Sequence, residues 1–510
     1  MAQDFVAGQV FDHRSVFVLY GPGTFLVEAG RNLGPFFTGT NSTFQFDLGQ
    51  LPGFTRFVSG IYSIGDGSNM GSSGAVRSYL PVYGADTYVL FGVGAGIDYQ
   101  AAMASYVDPA AAGNGGINYL SYIAAALGET PAQAWATFQM LPKAQQDLLI
   151  DQAFLKFLSQ VGIDYNDAAS PYYHQYARAY DSIATLFPAS RGYTDNRQTS
   201  TNGAAVTVST GDFNIAHALL ETQNRGNINI IGPGGNIIVG FNAADNSSPS
   251  QEGILTLQGG SIRTYTDQSV MVYQSRVFTE QGGDVDMFSA NGNLNAGKGP
   301  KSSAAYPPLT LTWDVDGYSR VNPSGLVTGA GIGALLTLPG QDPSLSNADL
   351  VAPRGTVDAG AAGIRVSGNL NIAALQVLNA FNIQVGGATV GIPVVQGPPV
   401  GALTTAANTT AATQQAQLPA QSSKNSQTSI MIVEIIGYGG GGGDDSPAHP
   451  QDEQRKKNGK QSSSYDPDSA FHVVGNGKLT EEQMKHLTDR EKSKLDQLVN
   501  RPDSPTSTAH

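Results

Sequence analysis

The chain has 510 residues, of which only 14% are charged, a formal net charge of −13 and no cysteine. The shortage of lysine and arginine argues against binding nucleic acid or anionic lipid, since both need cations that replace counterions. The missing cysteines exclude disulfide frameworks, thiolate zinc sites and cysteine nucleophiles. Glycine is abundant at 62 residues and 40% of the chain is apolar, so a core must be assembled from many short runs. The start, MAQDFVAGQVF, lacks the basic and apolar stretches of a signal peptide. No run reaches the roughly 18 apolar residues of a membrane-spanning helix.

Residues 1–97 read as short strands cut by Gly, Pro and Asn, among them SVFVLYGPGTFLVEAG, STFQFDLG and TYVLFGVGAG. Val16, Val18 and Tyr20 alternate with Phe17 and Leu19, so both strand faces are apolar, which predicts burial on both sides. Residues 98–190 change to helical spacing. Thr130, Pro131 and Gln133 make a helix start with a capping box. The run from Pro142 carries Leu148, Leu149, Phe154, Leu155, Leu158 and Val161 on one face, with Gly162 as the expected stop. Tyr176, Tyr180, Ile183 and Phe187 mark one face of a further helix that Pro188 ends.

Residues 191–396 return to strands and repeat a phrase: RGNINIIG, GGNIIVGF, GGSIRT, GGDVDMFS, NGNLNAG, RGTVDAG, GIRVSGNLNIAA and FNIQVGG. Alternate apolar residues follow a Gly or Asn corner at irregular intervals. Such a phrase suits a mainly β fold, a right-handed parallel β-helix with an α-helical insert, in which coils of about 20–25 residues stack their alternate side chains inside. Gly and Asn supply the positive-φ corners. In GNINI, Ile228 and Ile230 are expected inside, with Asn227 and Asn229 outside. A β-sandwich is the competing architecture and predicts long antiparallel strands.

Residues 397–429 are a Pro-, Ala-, Thr- and Gln-rich linker. SIMIVEIIGYG supplies an apolar strand at 430–438, expected to dock on the β domain. A Gly-rich, charged and mostly disordered C-terminal tail follows over 439–510, with a helix expected over 480–500.

The stretches GDFNIAHALLETQNRGNINIIGPGGNIIVG and GGSIRTYTDQSVMVYQSRVFTEQGGDVDMFSANGNLNAGKGP resemble the C-terminal region, a domain of unknown function, of filamentous haemagglutinin-like large exoproteins of Gram-negative bacteria. YARAYDSIATLFP and IMIVEIIGYGGGGG are similar to the same region, and the resemblance spans most of residues 20–445. It implies a secreted or surface-exposed adhesin built as a right-handed parallel β-helix. It also implies export by two-partner secretion through an outer-membrane transporter, and a host or matrix glycan or protein as binding partner. That route needs a signal peptide and a secretion domain, so the chain is expected to be a terminal fragment or split gene product of a larger exoprotein, with an inert C-terminal piece involved in secretion of that exoprotein as an alternative to the adhesive role. The resemblance brings no catalytic residue.

No chemistry stands out in the residues themselves. Asp314 and Asp316 in DVDGY look like the start of a calcium loop, but SRVNPSG supplies none of the ligands that should follow. They read as a turn with solvated carboxylates. Asp284 and Asp286 are spaced like a metal pair on one strand face. With Val285 and Met287 inside, they are expected to face water. Gly92, Gly94 and Gly96 imitate a dinucleotide fingerprint only until Ile97, where the third glycine should stand. No two of the seven histidines have metal-ligand spacing, and no G-x-S-x-G elbow exists. No cofactor is expected. Tyr62, Tyr79, Tyr83, Tyr88, Tyr99, Tyr106, Tyr119 and Tyr122 could stack on sugars, but packing of the insert on the β-helix is the stronger reading. A carbohydrate-active β-helix enzyme would instead gather acidic residues with Arg or Lys on adjacent rungs.

Overall fold

A computed structural model of the chain describes residues 16–36, 59–67, 77, 79–111, 114–197, 206–241, 252–299, 310–313, 319–322, 329–337 and 340–392. All of them lie in one compact unit, Met1–Pro398. STFQFDLG, the linker, the strand at 430–438 and the tail with its expected helix lie outside the described residues, as do Asp314 and Asp316.

The strands run in coils. The first holds β1 (Val16–Leu19) and β2 (Thr24–Ala29). The second holds β3 (Gly60–Ser63) and β4 (Asp86–Phe91) and closes, after a long excursion, with β5 (Phe213–Asn214). Three coils of three strands follow. They are β6 (Leu219–Thr222), β7 (Ile228–Gly232) and β8 (Ile237–Ile238); β9 (Gly253–Thr256), β10 (Ile262–Thr266) and β11 (Val270–Met271); and β12 (Arg276–Glu280), β13 (Val285–Ser289) and β14 (Leu294–Asn295). An antiparallel hairpin, β15 (Thr310–Trp313) and β16 (Ser319–Asn322), interrupts the series. The last coils are β17 (Gly331–Leu335) with β18 (Ala348–Asp358), β19 (Ile364–Val366) with β20 (Leu370–Leu378), and β21 (Ile383–Val385) with β22 (Thr389–Val390).

One sheet joins the first strands of eight coils in chain order, β1-β3-β6-β9-β12-β17-β19-β21, with every pairing parallel. Only a solenoid gives this order, because each strand pairs with its counterpart one turn earlier and one turn later. The fold is a parallel β-helix, and the sandwich is ruled out: the antiparallel β15–β16 hairpin is a side excursion. The register stacks one interior residue per rung along each row, aliphatic except for Thr264 and Phe213. Ile61, Leu220, Ile254, Val277, Ile332 and Ile364 stack along the first sheet. Ile230, Thr264, Met287, Leu350 and Ile372 stack along the second. Phe213, Ile237, Val270, Leu294 and Val357 do so along the short strands. Nearly all of these belong to a single buried core.

The repeated phrase is the corner between the first and second strands. Thr222, Thr256 and Thr279 each donate a hydroxyl hydrogen bond to the carbonyl four residues on, at Gly226, Gly260 and Gly283. The residues between have positive φ, as at Asn224, Arg225, Gln258, Gly259, Gln281 and Gly282. Gly283 itself is left-handed at φ 102°, and a Cβ there would run into the carbonyl of Gly260 one coil below. The corner is therefore written as glycine by stacking as well as by φ.

Just beyond this corner the coils are tied by a polar ladder. Asp86 Oδ1 accepts from Asn227 N at 2.8 Å, Asn227 Oδ1 from Ser261 N at 2.9 Å, and Ser261 Oγ from Asp284 N at 3.1 Å. The run continues from Asp284 to Asn347, Asn369 and Ala388. A second ladder links Asp212, Asn236, Ser269, Asn293 and Thr356 at the next corner. Asn227 thus spends its side chain on the next rung rather than on solvent.

The excursion between β4 and β5 holds α1 (Tyr99–Ala102), α2 (Tyr119–Leu127), α3 (Pro131–Met140), α4 (Lys143–Asn166) and α5 (Ala177–Leu186). Thr130 and Gln133 form the expected capping box on α3. Gly162 does not stop α4, which continues to Asn166. It lies where the helix crosses the sheet, and a Cβ would collide with Cγ2 of Val351. The glycine marks close approach rather than a C-cap. The outward row Leu90, Ile231, Tyr265, Phe288, Val351 and Ala373 supplies the surface on which the insert packs. Phe154 of α4 meets Tyr265 edge-on at 5.1 Å, and Phe187 stacks on it at 5.8 Å.

Candidate functional site

Two residues before that apolar row, on the same outward face of the second sheet, runs a polar one. Parallel register aligns Asn229, Arg263, Asp286, Asp349 and Asn371 on consecutive rungs. They occupy one position in the phrase, the middle residue of INI, IRT, VDM, ADL and LNI. Buried polar groups need partners that apolar ones do not, so amides and charges recurring at one register on five rungs make this the strongest candidate site among the described residues.

Its members are largely covered. Asn229 is 1% exposed, and neither atom of its amide has a hydrogen-bond partner. Arg263 Nε lies 3.2 Å from Asp286 Oδ2, but its N–H is not aimed well enough for a hydrogen bond. The pair is thus a close ion pair with poor directionality. Asn371 Nδ2 donates to Asp349 Oδ1 at 3.1 Å and its Oδ1 accepts from Asn166 at the end of α4 at 2.6 Å. Burial raises the pKa of Asp286, and Arg263 opposes this only in part, while the neighbouring carboxylates of Asp349 and Asp284 add to it. Asp349 is raised too, again chiefly by burial. Lys156 of α4 faces the row. Burial lowers its pKa, with Arg263 acting in the same direction and Asp286 and Asp284 against it.

The expectation that Asp284 and Asp286 both face water does not hold. Asp286 points outward from the coil but the insert covers it, leaving it 8% exposed. Asp284 belongs to the ladder, accepting from Asn347 N at 3.0 Å and Asn347 Nδ2 at 3.2 Å. Among the described residues no group of three or more His, Cys, Asp or Glu is placed to hold an ion. Asn229 was likewise expected outside and is outside the coil, yet buried beneath the insert. Arg263, Asp349 and Lys156 were not singled out from sequence. Aligning the phrases by their inward residues would have found the first two, whereas Lys156 needs the docked position of α4.

A second polar group fastens the chain leaving α5. Asp267 is fully buried and accepts from Thr194 Oγ1 at 3.0 Å and Asn291 Nδ2 at 2.7 Å. Burial lifts its pKa to about 6 against the pull of these hydrogen bonds. Arg354 bonds Asn291 Oδ1 at 2.8 Å and Asn196 O at 2.6 Å, and lies over the Tyr180 ring. Of the early tyrosines, Tyr62, Tyr88, Tyr106 and Tyr119 are buried, and Tyr99 and Tyr122 pack partly buried against the insert's core. Tyr79 and Tyr83 alone of the eight are strongly exposed.

A parallel β-helix carrying a docked helical insert is the class these features define. Residues 282–394, from the corner before β13 to just past β22, match the family described as filamentous haemagglutinin family outer membrane protein. No curated protein and no solved structure matches the chain. No helix among the described residues is long and apolar enough to cross a membrane.

Proposed function

We propose that the chain is a non-enzymatic segment of a secreted or surface-exposed filamentous haemagglutinin-like adhesin, serving as a β-helical shaft whose outer faces carry binding side chains. The observation that supports this most is the in-register stack of eight coils, whose last coils coincide with the family match. A stacked coil is stiff without metal or disulfide, because each rung buries its apolar row on the next and the polar ladders satisfy the corners. A host or matrix glycan or protein is the partner this reading expects, and a two-partner outer-membrane transporter is its export route. Protease shaving of intact cells tests the location: loss of the chain from unlysed cells is the expected outcome, and protection until lysis would contradict it.

A second reading, a β-helix lyase or hydrolase acting on carbohydrate, draws on the row Arg263, Asp286 and Asp349 with Lys156, which gathers acids and cations on adjacent rungs. Cover by α4 weighs against it, since a substrate must reach the reacting groups. Incubation with acidic and neutral glycans separates the two. The adhesin reading expects no reducing or unsaturated sugar. Release that disappears in Asp286→Asn would establish the enzyme instead.

A further inference from the structure

The turn between α4 and α5, NDAASPYYHQY, is absorbed by neither reading: Tyr165 just before it and Tyr176 at its end pack partly buried against the insert's core, while Tyr173 and His174 between them are exposed. Tyr165 stacks on Tyr176 at 4.1 Å with an interplanar angle of 11°, and on His174 at 4.9 Å and 16°. His174 in turn meets Tyr173 at 3.9 Å. Tyr173 is 44% exposed, and His174 and Gln175 are exposed beside it.

The turn is held rigid. His174 N donates to Tyr165 O at 3.0 Å, which closes the loop on the helix it leaves. Ser170 N, Tyr173 N and Gln175 N each donate to the carbonyl three residues back, and Asp167 Oδ1 accepts from Ala169 N at 2.9 Å. His174 is left-handed at φ 57°, unusual outside glycine, and this conformation brings its ring into the stack. Rigid aromatic groups bind at little cost in conformational entropy.

We propose that this stack is a saccharide-binding platform, with a pyranose lying on Tyr173 and His174 and its hydroxyls reaching Asp167, Ser170 and Gln175. A pyranose has an apolar C–H face and a polar rim, which matches an exposed ring bordered by hydrogen-bonding side chains. The sugar is uncharged. Residues 164–177 contain no lysine or arginine to bind a sulfate or carboxylate, and they carry Asp164 and Asp167. Arg178, the next cation along the chain, is already engaged by Asp164 and by the Tyr172 ring.

The proposal deepens the adhesin reading by giving it a ligand class and a place. Saturation-transfer NMR on the full chain with the methyl glycosides of glucose, galactose, N-acetylglucosamine and N-acetylgalactosamine tests it. At least one should receive saturation on the protons of one ring face. Affinity should fall about tenfold or more in Tyr173→Ala and be kept in Tyr173→Trp. His174→Gly, which suits the positive φ, should weaken binding without loss of fold. No transfer to any of the four, or binding unchanged in Tyr173→Ala and His174→Gly, overturns the platform. Beads coated with the chain and offered to cells keep the two readings apart. Adhesion equal in wild type and Tyr173→Ala sinks the platform and leaves the adhesin standing, whereas beads that never adhere while the glycosides bind sink the adhesin alone.

Discussion

At the scale of single residues, the polar row beneath the insert is where this molecule departs from good packing. Asn229 leaves both amide atoms unpartnered in a nearly solvent-free position. Replacing such a group with an apolar one removes a desolvation cost of about 1–3 kcal/mol. Asn229→Leu is therefore expected to raise the urea midpoint with an unchanged slope, and a lowered midpoint would show that the amide is satisfied in solution. The carboxyls of Asp286, Asp349 and Asp267 share a second consequence. All have pKa values above the ordinary carboxyl value of 3.8, so the folded state holds their protons more tightly than the unfolded state. Their contribution to stability is full below about pH 4 and is lost as pH rises, for Asp267 through about 6, where it ionises in the folded protein. For Asp267 alone the difference is on the order of 3 kcal/mol. Thermal melts from pH 4.5 to 8 should show Tm declining, with a shallower decline in Asp286→Asn; a Tm that rises over this range would contradict the burial of these groups.

At the scale of elements, the helix α4 and the sheet beneath it are joined at a residue whose intrinsic preference points the other way. Gly162→Ala in an exposed helix gains about 1 kcal/mol. Here the added methyl meets Val351, a stiff branched side chain within the core, so the substitution should destabilise. A double-mutant cycle with Val351→Ala checks the cause: the cost of Gly162→Ala should shrink markedly in the Val351→Ala background. Equal costs in both backgrounds would mean that the helix does not approach the sheet at 162. The same residue shows how far the sequence can be read. Alternation in GNINI and DVDMF was enough to place Ile228, Ile230, Val285 and Met287 inside, because period two leaves no other face for them. It could not tell whether the outward residues meet water or protein. Asp286 was assigned to water for that reason, and the helix that covers it comes from more than a hundred residues earlier in the chain. Gly162 looks like a stop in the sequence because a glycine after an apolar run usually is one, and only the tertiary contact reveals its use.

At the scale of the whole molecule, the order and register of the coils define the β-helix. The repeated Gly-Gly phrase made successive corners legible, while the exact partners depend on loops of unequal length between rungs. The absence of cysteine allows the register to be tested without background. Arg365 and Gln384 are partners on adjacent first strands, β19 and β21, and both point out of the coil. Parallel neighbours lie about 4.8 Å apart, within the range that a disulfide spans. The most direct measurement is oxidation of the double variant Arg365→Cys/Gln384→Cys in the full chain, followed by mass spectrometry of tryptic peptides. Stacked parallel coils predict an intramolecular disulfide forming in high yield between these positions and none in a control with Arg365→Cys and Gln376→Cys. A pair that stays reduced in the folded protein, or a control that bonds equally well, would contradict the stacked parallel coils.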